Sequence, residues 1–421
     1  MAYPAASKSA ALDRCITLTF ITLLINQFLL IRTYSIMKIA VIGAKGLPPK
    51  QGGIEHYCAG VYPRMVAQGH DVDLFGRSSY TDSPAFHRHD FQGVRTISMP
   101  SLGMRGMDAF VSSAMGALMA SRKHYDIIHF HALGPSLFTC LPKLATRSKI
   151  VVTCQGLDWQ RDKWGKLPSR LIRLGEQAAA KYADGLVVVS DDLRQYFQRT
   201  YSRDAMYIPN APGTYAESDS SFAFGKSLGL EQGKYMVYLG RLVPEKCPDL
   251  LIQAFRKLQN TGWKLVLVGG TSDTNNFTSE LQALAQNSPD IVFAGELQGA
   301  RLAEIVRGAG LFTLPSNLEG LPLAMLEGMQ EGLPVVASNI PPHRQLIGDD
   351  RGLLFQAGEI DSCTAALTWA INHPDEMRVM GDRGQHHVKS YYTWDQITRD
   401  NLTLYDSLLG SNVSQKVAIT A

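Results

Sequence analysis

The sequence predicts an α/β protein made of two doubly wound parallel-sheet domains that face each other across a cleft. Its 421 residues are too many for one compact core and suit two domains. Short apolar and β-branched runs alternate with helical stretches, a pattern typical of parallel sheets covered by helices on both faces. The alternation breaks once, near residue 212, and then starts again.

The composition excludes several classes of protein. A chain that is 45% hydrophobic and 19% charged is neither disordered, collagen-like nor a polytopic membrane protein. The 41 Lys and Arg nearly balance the 38 Asp and Glu, which argues against a dedicated nucleic-acid binder. The six Cys form no C-x-x-C pair, so neither a zinc site nor a disulfide framework is expected. We therefore expect a reducing, cytoplasmic location.

The net charge of +3 conceals a difference between the two halves of the chain. Residues 1–212 hold 25 Lys and Arg against 15 Asp and Glu, whereas residues 213–421 hold 16 against 23. This asymmetry suggests that the first half faces something acidic, such as a membrane surface or phosphates. Chance variation between two domains is the alternative explanation.

The first 36 residues precede the predicted fold. Their apolar run, 16–31, is shorter than the roughly 20 residues of a spanning helix, and no small-x-small cleavage site follows it. Met37 begins MKIAVIGAKG, which is typical of the first strand and glycine turn of an α/β domain. We interpret 1–36 as an over-extended gene start or a disordered extension, with a membrane anchor as the alternative.

Ten apolar runs are predicted as strands, five on each side of the break. Near-continuous apolar runs of this length indicate strands buried on both faces. In the first half they are 38–43, 71–76, 126–131, 149–154 and 185–190, with helices at 54–68 and 168–183 among those between them. In the second half they are 235–240, 264–269, 290–295, 311–315 and 334–338.

Residues 210–233 are rich in Gly, Ser and Pro and mark the break between the domains. The predicted division is an extension at 1–36, domains at 37–212 and 213–390, a C-terminal helix at 391–410 and a tail at 411–421. Ligands of open parallel sheets bind at the carboxyl ends of the strands, so two facing sheets predict a shared site.

The first loop, GAKGLPPKQGGIEH, lacks the G-x-G-x-x-G pattern, and no acidic residue closes the second strand. Both features disfavour a dinucleotide oxidoreductase. Gly52 and Gly53 precede a helix predicted near Ile54, whose free N–H groups suit an anion. A loop that merely needs positive φ angles is the alternative.

Stronger signals lie in the second half. Arg241 and Lys246 follow Gly240 on one loop at a strand end, and two fixed cations suit a diphosphate leaving group. Ordinary solvated cations are the alternative. Glu319 lies before a helix predicted near Pro322, and Glu327 lies inside that helix among apolar neighbours. A shielded carboxylate there needs a donor partner, such as ribose hydroxyls.

Two further features leave alternatives open. His129 and His131 share one face of a strand, where core or cleft packing is favoured over a metal pair because no third ligand lies at motif spacing. The segment WQRDKWGKLPSRLIRLGEQ interleaves cations with Trp and Leu, as an interfacial helix does at anionic headgroups. An amphipathic helix packed on the sheet is the alternative. The candidate membrane-facing cations are Arg161, Lys163, Lys166, Arg170 and Arg173, beside Trp159, Trp164, Leu171, Ile172 and Leu174.

The motif EGLPLAMLE, together with GRLVPEK, an early GGIE and the strand GLPVVAS, resembles the retaining GT-B glycosyltransferases of family 4, group 1. The resemblance runs from Met37 to about residue 410. The segments IGAKGLPPKQGGIE and GLDWQRDKWGK are most similar to a subgroup associated with rhamnosyl and other transfers in surface polysaccharide synthesis.

The resemblance implies two Rossmann-like domains, with the acceptor on the first and a nucleoside-diphosphate sugar on the second. The implied activity is that of a hexosyltransferase that acts on a sugar or lipid-linked acceptor with retention. It also implies no cofactor and no metal, and the sequence has no D-x-D motif after a strand. The implied partners are a nucleotide sugar, a glycan or lipid-linked acceptor and the inner face of the cytoplasmic membrane, but no nucleic acid.

The resemblance also assigns roles to residues. Arg241, Lys246 and Glu319 are the implied catalytic residues, with Arg241 and Lys246 on the donor diphosphate and Glu327 on the ribose. The implied donor contacts are completed by Gly240 and the Gly320–Leu321 backbone, and the implied acceptor or diphosphate loops contain Gly52, Gly53, Glu55, Gln155 and Asp158.

Gln155 departs from the family pattern, because many relatives have a His that contacts the donor sugar at this position. A Gln can donate and accept hydrogen bonds but cannot titrate, so we expect a positioning role there. If a protonatable group is required, the chain is a non-catalytic nucleotide-sugar-binding protein. An epimerase of similar fold is the other alternative, although it would leave the basic Trp-bearing segment unexplained.

Overall fold

The computed structural model describes residues 36–50, 52–101, 107–160, 165–258, 261–270, 275–286 and 288–410. The chain from Met37 onward forms one compact unit. The predictions for residues 1–35 and for the tail at 411–421 lie outside the described residues, as do those for Arg161, Lys163 and Trp164.

The first sheet has eight strands: β1 (Lys38–Ile42), β2 (Asp71–Arg77), β3 (Arg88–Phe91), β4 (Val94–Met99), β5 (Ile127–His131), β6 (Lys149–Cys154), β7 (Gly185–Val188) and β8 (Met206–Tyr207). Their order is β3-β4-β2-β1-β5-β6-β7-β8, all parallel except β3, which runs antiparallel to β4. The central strands β1, β5 and β6 are buried except at the first residue of β1 and of β6, because most of their residues are apolar.

Helices cover both faces of this sheet. They are α1 (Gly53–Ala67), α2 (Ser78–Thr81), α3 (Met107–Ala120), α4 (Cys140–Ala145), α5 (Lys166–Tyr182) and α6 (Asp191–Tyr201), with 3-10 turns at Pro135–Phe138 and Asp158–Gln160.

The second sheet has six parallel strands: β9 (Tyr235–Leu239), β10 (Lys264–Val268), β11 (Ile291–Gly295), β12 (Leu311–Leu314), β13 (Val335–Ser338) and β14 (Leu353–Phe355). Their order in the sheet is β11-β10-β9-β12-β13-β14. The helices are α7 (Ala223–Ser227), α8 (Pro248–Lys257), α9 (Asn275–Ala285), α10 (Gly299–Arg307), α11 (Leu323–Gln330), α12 (Pro341–Ile347), α13 (Ile360–Asn372), α14 (Pro374–Tyr391) and α15 (Trp394–Leu409), with a 3-10 turn at Pro244–Lys246.

The predicted fold class, two parallel-sheet α/β domains, is confirmed, and the ten predicted strands are all present with shifts of at most two residues at their ends. Sequence patterning missed β3, β4, β8 and β14. The edge strand β3 alternates exposed and half-buried residues, and β8 and β14 have only two and three residues. The predicted break at 210–233 contains a short helix, α7, which its Gly-, Ser- and Pro-rich composition does not indicate.

The last helix, α15, returns to the first sheet. It packs on α1, where the Trp394 ring lies against Gly60 so closely that a methyl group there would be 2.4 Å from Trp394 Cδ2. Arg64 Nε donates to Asp395 Oδ1 at 2.8 Å. Residues from the end of the described chain therefore complete the layer over residues from its beginning.

A buried polar network lies between α1, α15 and the first sheet. His129 and His131 are fully buried, and their rings stack with centroids 4.3 Å apart. His129 Nδ1 lies 2.6 Å from the Tyr405 hydroxyl, and His131 Nε2 lies 2.7 Å from the Tyr62 hydroxyl. Packing of this histidine pair in the core is thus confirmed.

Candidate active site

Loops from the two sheets meet at the carboxyl ends of their strands. A methyl group at Gly320, before α11, would lie 2.0 Å from the Gln155 carbonyl oxygen, after β6. A methyl group at Gly53, at the start of α1, would lie 3.0 Å from Leu323 Cδ1 at the start of α11. The starts of α1 and α11 therefore lie beside one shared site, as expected for two facing parallel sheets.

Lys246 and Glu319 form the central ion pair of this site. Lys246 Nζ lies 2.6 Å from Glu319 Oε1, and the two side chains are only 17% and 9% exposed. Ser316 Oγ donates to the same oxygen at 2.8 Å. Burial alone would raise the pKa of Glu319, but the Lys246 ammonium, the neighbouring His343 and the Ser316 hydroxyl lower it below its ordinary value. Glu319 is therefore held as a carboxylate.

Arg241 lies on the same loop, in a position fixed by its backbone. The buried Tyr238 hydroxyl donates to the Arg241 carbonyl at 2.8 Å, while the Arg241 side chain remains 41% exposed and lies 4.0 Å from Glu245. A methyl group at Gly269 would lie 1.8 Å from the Gly240 carbonyl oxygen. The end of β10 thus packs against the backbone of this loop, and the Arg241 guanidinium is left partly exposed to solvent.

Glu327 lies in α11, as predicted, and its partner comes from the segment between the two sheets. The Tyr215 hydroxyl donates to Glu327 Oε2 at 3.0 Å, and Gln330 Nε2 donates to the Gly213 carbonyl at 3.1 Å. Burial raises the pKa of Glu327 to about 7. Hydrogen bonds from Tyr215 and the Gly213 backbone act in the opposite direction and offset part of this shift. Sequence reasoning missed Tyr215 because its segment shows no regular pattern.

The glycine loop before α1 is organised by Glu55. The Glu55 carboxylate is buried, and its Oε1 accepts the Lys45 backbone N–H at 2.8 Å. Gly52 has a φ of 102°, and a methyl group there would lie 2.2 Å from Glu55 Oε2. Glu55 therefore holds the loop in shape, and Lys45, which sequence reasoning missed, brings a cation to it.

Gln155 forms an amide pair with Asn210. Asn210 Nδ2 donates to Gln155 Oε1 at 2.8 Å, while Gln155 Nε2 and Asn210 Oδ1 are buried without a partner among the described residues. If both amides were flipped, the pair would still present one free N–H and one free carbonyl. A hydroxyl group, which both donates and accepts, satisfies such a pair.

The predicted membrane-facing segment divides into two parts. Trp159 turns inward, where its Nε1 donates to the buried Glu176 at 2.7 Å and its ring stacks on the Arg173 guanidinium at 4.0 Å. Trp159 is thus half-buried and bonded within the fold, while Arg173 remains exposed on α5 and stays a candidate for membrane contact. Lys166 and Arg170 are exposed on α5, as predicted, whereas Ile172 is buried. Asp158 is half-buried in the 3-10 turn before them.

No group of three or more His, Cys, Asp or Glu among the described residues is arranged to hold a metal ion. Within the same residues, no helix combines the length and the apolar character needed to cross a bilayer.

Two family models match consecutive parts of the chain. Residues 52–211 match the glycosyl transferase 4-like domain, and residues 220–387 match glycosyl transferases group 1. Together the two matches contain every strand of the two sheets except β1 and cover well over half of the chain.

Individual proteins agree with these matches. The chain is 26% identical over 390 residues to a D-inositol 3-phosphate glycosyltransferase of Gordonia bronchialis, covering 86% of this chain and 85% of the relative. Its fold is similar to a sucrose-phosphate synthase of Thermosynechococcus elongatus, with a TM-score of 0.75, 20% identity, and coverage of 89% and 100% of the two chains. It is also similar to Anabaena HepE in complex with UDP-glucose, with a TM-score of 0.72, 17% identity, and the same coverages. From its two α/β domains and both family matches, the chain belongs to the group 1 glycosyltransferases of the GT-B fold.

Proposed function

We propose that this glycosyltransferase moves a sugar from a nucleoside-diphosphate sugar to a glycan or lipid-linked acceptor, with retention, in cell-surface polysaccharide synthesis. Residues 213–390 would bind the donor and residues 37–212 the acceptor. The observation that supports this most directly is the buried Lys246–Glu319 pair, which lies where the loops of the two sheets meet.

Each charged group of the site has a role in the proposed donor complex. Arg241 and Lys246 neutralise the diphosphate as negative charge develops on the leaving oxygen. Glu327, as a carboxylate, accepts hydrogen bonds from the ribose hydroxyls and displaces Tyr215 from one oxygen. The Anabaena neighbour was solved with UDP-glucose, so UDP-sugars are the first donors to test.

Retention is the finer part of the proposal. The bond between the anomeric carbon and the phosphate oxygen breaks, and the acceptor oxygen bonds to the same face of that carbon. The acceptor proton passes to the departing phosphate oxygen, so no enzyme nucleophile is needed. This fits Glu319, whose near oxygen is already engaged by Lys246 and Ser316. We further propose that the two cations act without a metal.

Product analysis tests these points. The purified full chain is incubated with UDP-, GDP- and dTDP-sugars and an acceptor panel, and the product anomer is read by NMR. We expect a product of retained configuration and an activity that EDTA does not change. An inverted product would overturn the proposal of retention, and loss of activity on chelation would overturn the proposal that no metal takes part. Isomerisation of the donor without transfer would favour the alternative of an epimerase. Binding of the donor without turnover would favour a non-catalytic nucleotide-sugar-binding protein.

The acceptor proposal includes contact with an anionic membrane surface. Lys166 and Arg170 on α5 flank Leu167, which is 67% exposed, and the neighbouring α4 presents Leu144 at 82% exposure. Cations interleaved with exposed leucines match the chemistry of anionic headgroups over an acyl layer. These four side chains are called the α4–α5 face.

Co-sedimentation with phosphatidylcholine vesicles, with and without phosphatidylglycerol, tests the α4–α5 face. Binding should require the anionic lipid and should fall in Leu144→Ser/Leu167→Ser and in Lys166→Glu/Arg170→Glu. Val379→Ser removes an exposed apolar side chain from α14 and serves as the matched control. Equal binding by all variants, or binding that ignores phosphatidylglycerol, would refute this contact.

A phosphorylated inositol is a second candidate acceptor. The relative from Gordonia bronchialis is named a D-inositol 3-phosphate glycosyltransferase. Lys45 at the glycine loop supplies a cation beside the start of α1, and both favour a phosphate group. The acceptor panel therefore includes inositol 3-phosphate beside lipid-linked sugars, and transfer to it alone would replace the lipid-linked proposal.

A further inference from the structure

His343 lies behind the Glu319 loop, and no step of the proposed transfer uses it. It belongs to α12, directly after β13, and its side chain is fully buried. Its Nε2 is buried without a partner among the described residues, so the hydrogen bonds of its Nδ1 indicate its role.

The partners of His343 form a chain that leads to Glu319. His343 Nδ1 lies 2.8 Å from the Ser338 carbonyl oxygen and 3.2 Å from Ser338 Oγ. Ser338 Oγ donates to the Ser316 carbonyl, and Ser316 Oγ donates to Glu319 Oε1 at 2.8 Å. Because a carbonyl oxygen only accepts, His343 Nδ1 carries the ring proton.

The imidazole of His343 contributes a directional hydrogen bond to this chain and no formal charge. Burial lowers the pKa of His343 to about 4, although Glu319 opposes the shift, so the imidazole is neutral at neutral pH. As a neutral donor at neutral pH, the ring adds no formal charge beside the Lys246–Glu319 pair. An apolar side chain of similar size would fill the volume but leave the Ser338 carbonyl without this donor.

We infer that His343 is a positioning residue that, through Ser338 and Ser316, holds the Glu319 carboxylate toward the transferred sugar. This inference rests on the proposed function, because Glu319 must act on the donor sugar. Lys246 anchors the carboxylate by charge, while the chain from His343 fixes the direction from which Ser316 approaches it. Loss of the chain should therefore impair the reaction step more than nucleotide binding.

Two substitutions at His343 separate hydrogen bonding from packing. His343→Leu removes the donor, whereas His343→Asn places an amide N–H near the position of Nδ1. His343→Leu should lower kcat by about 10- to 100-fold, the scale of a small misplacement of a reacting group. The Kd for UDP should stay within about threefold, and His343→Asn should recover most of kcat. His124→Leu, at an exposed His before β5, is the control.

A double variant tests whether the residues act as one chain. Ser338→Ala breaks the link between His343 and Ser316, so it should lower kcat by a similar factor. The combination Ser338→Ala/His343→Leu should be no slower than the slower single variant, because residues that act as a unit are not additive. If the losses of kcat in the two single variants multiply in the double variant, the residues do not act as one chain and the inference is wrong.

The outcomes distinguish this inference from the proposed function. If His343→Leu keeps full kcat while Glu319→Gln is inactive, the positioning role is wrong and the proposed function stands. If His343→Asn is as slow as His343→Leu, the hydrogen bond is not the cause and the inference also fails. Full transfer by Glu319→Gln would instead refute the proposed role of that carboxylate.

Discussion

Lys246 and Glu319 are 73 residues apart in sequence, yet Nζ and Oε1 lie 2.6 Å apart in an almost buried pair. The pair joins the loop after β9 to the loop after β12, and β9 and β12 are adjacent strands. Two loops at the carboxyl ends of adjacent strands are thereby held together by charge.

Removing the cation from this pair should affect both stability and activity. Lys246→Ala leaves the Glu319 carboxylate buried without its partner, which costs about 3 kcal/mol of unfolding free energy. Transfer should fall by at least about 100-fold. Urea unfolding and initial rates measure the two effects, and Lys246→Met/Glu319→Gln should regain stability without activity. A fully active Lys246→Ala would contradict the assignment.

Gly320 controls how closely the loops of the two sheets approach. In Gly320→Ala the new methyl group would meet the Gln155 carbonyl at 2.0 Å, so the loops must move apart. We expect kcat/KM to fall by about 100-fold, with little change in thermal unfolding. Gly134→Ala is the control, because its φ is −59° and no described atom lies within 4 Å of the added carbon. Equal losses in the two variants would show that contact with Gln155 is not the cause.

Glu327 should make donor binding depend on pH near neutrality. Its pKa is raised to about 7, so the carboxylate that ribose hydroxyls require is mostly protonated at pH 6 and ionised at pH 8. Affinity for the donor should rise about tenfold over that range. Calorimetry with an intact nucleotide sugar, whose diphosphate does not titrate there, measures the change. Glu327→Gln should flatten the profile, and a slope retained in that variant would exclude Glu327.

The same group has the opposite effect on folding. Because the folded pKa of Glu327 lies above its ordinary value of 4.5, its contribution to stability is present at low pH and is lost as the pH rises from 4.5 to about 7. Saturating donor should offset this loss at pH 8.

Gln155 and Asn210 should contribute to recognition of the sugar and not of the nucleotide. Gln155→Ala removes one of the two free amide groups, so kcat/KM for the donor should fall by about tenfold or more while UDP binding is unchanged. Gln155→His should keep activity above pH 7, where a neutral ring still donates and accepts. Equal losses of UDP and donor affinity in Gln155→Ala would contradict this assignment.

The buried histidines should make the protein acid-sensitive. Burial lowers the pKa of His131 to about 3 and that of His129 well below its ordinary value. Both pKa values lie below those of the unfolded chain, so the free energy of unfolding has its full value above about pH 6.5. It falls as the pH drops from there toward 3, by about 1.4 kcal/mol for each pH unit and each histidine. Urea unfolding at pH 7 and 5 measures this slope. His131→Gln should reduce it, whereas His124→Gln, at an exposed position, should not.

Much of the fold could be predicted because its signals are local. A central strand such as β6 is apolar at nearly every position, and its predicted bounds are those of the structure. The edge strand β3 could not be predicted in this way, since it reads R-H-D-F and gains order only by pairing with β4. The tertiary context of an edge strand is absent from its own composition.

In the candidate site, too, residues with a local sequence signal could be predicted, whereas their distant partners could not. Glu327 could be singled out because a carboxylate among apolar neighbours needs a donor, but nothing near it in sequence indicated Tyr215, 112 residues away. The inward direction of Trp159 was equally hidden, because its partner Glu176 lies on the next helix. Contacts between distant segments are set by packing, which a single sequence does not display.

The docking of α15 on α1 has a consequence for synthesis on the ribosome. The first sheet leaves the ribosome early. The surface of α1 that receives Trp394, and the His129 ring that meets the Tyr405 hydroxyl, are covered only by residues made after the entire second sheet. Until then that apolar surface is open to chaperones and proteases. Nascent chains should therefore acquire protease resistance in the first sheet last, although its strands are translated first.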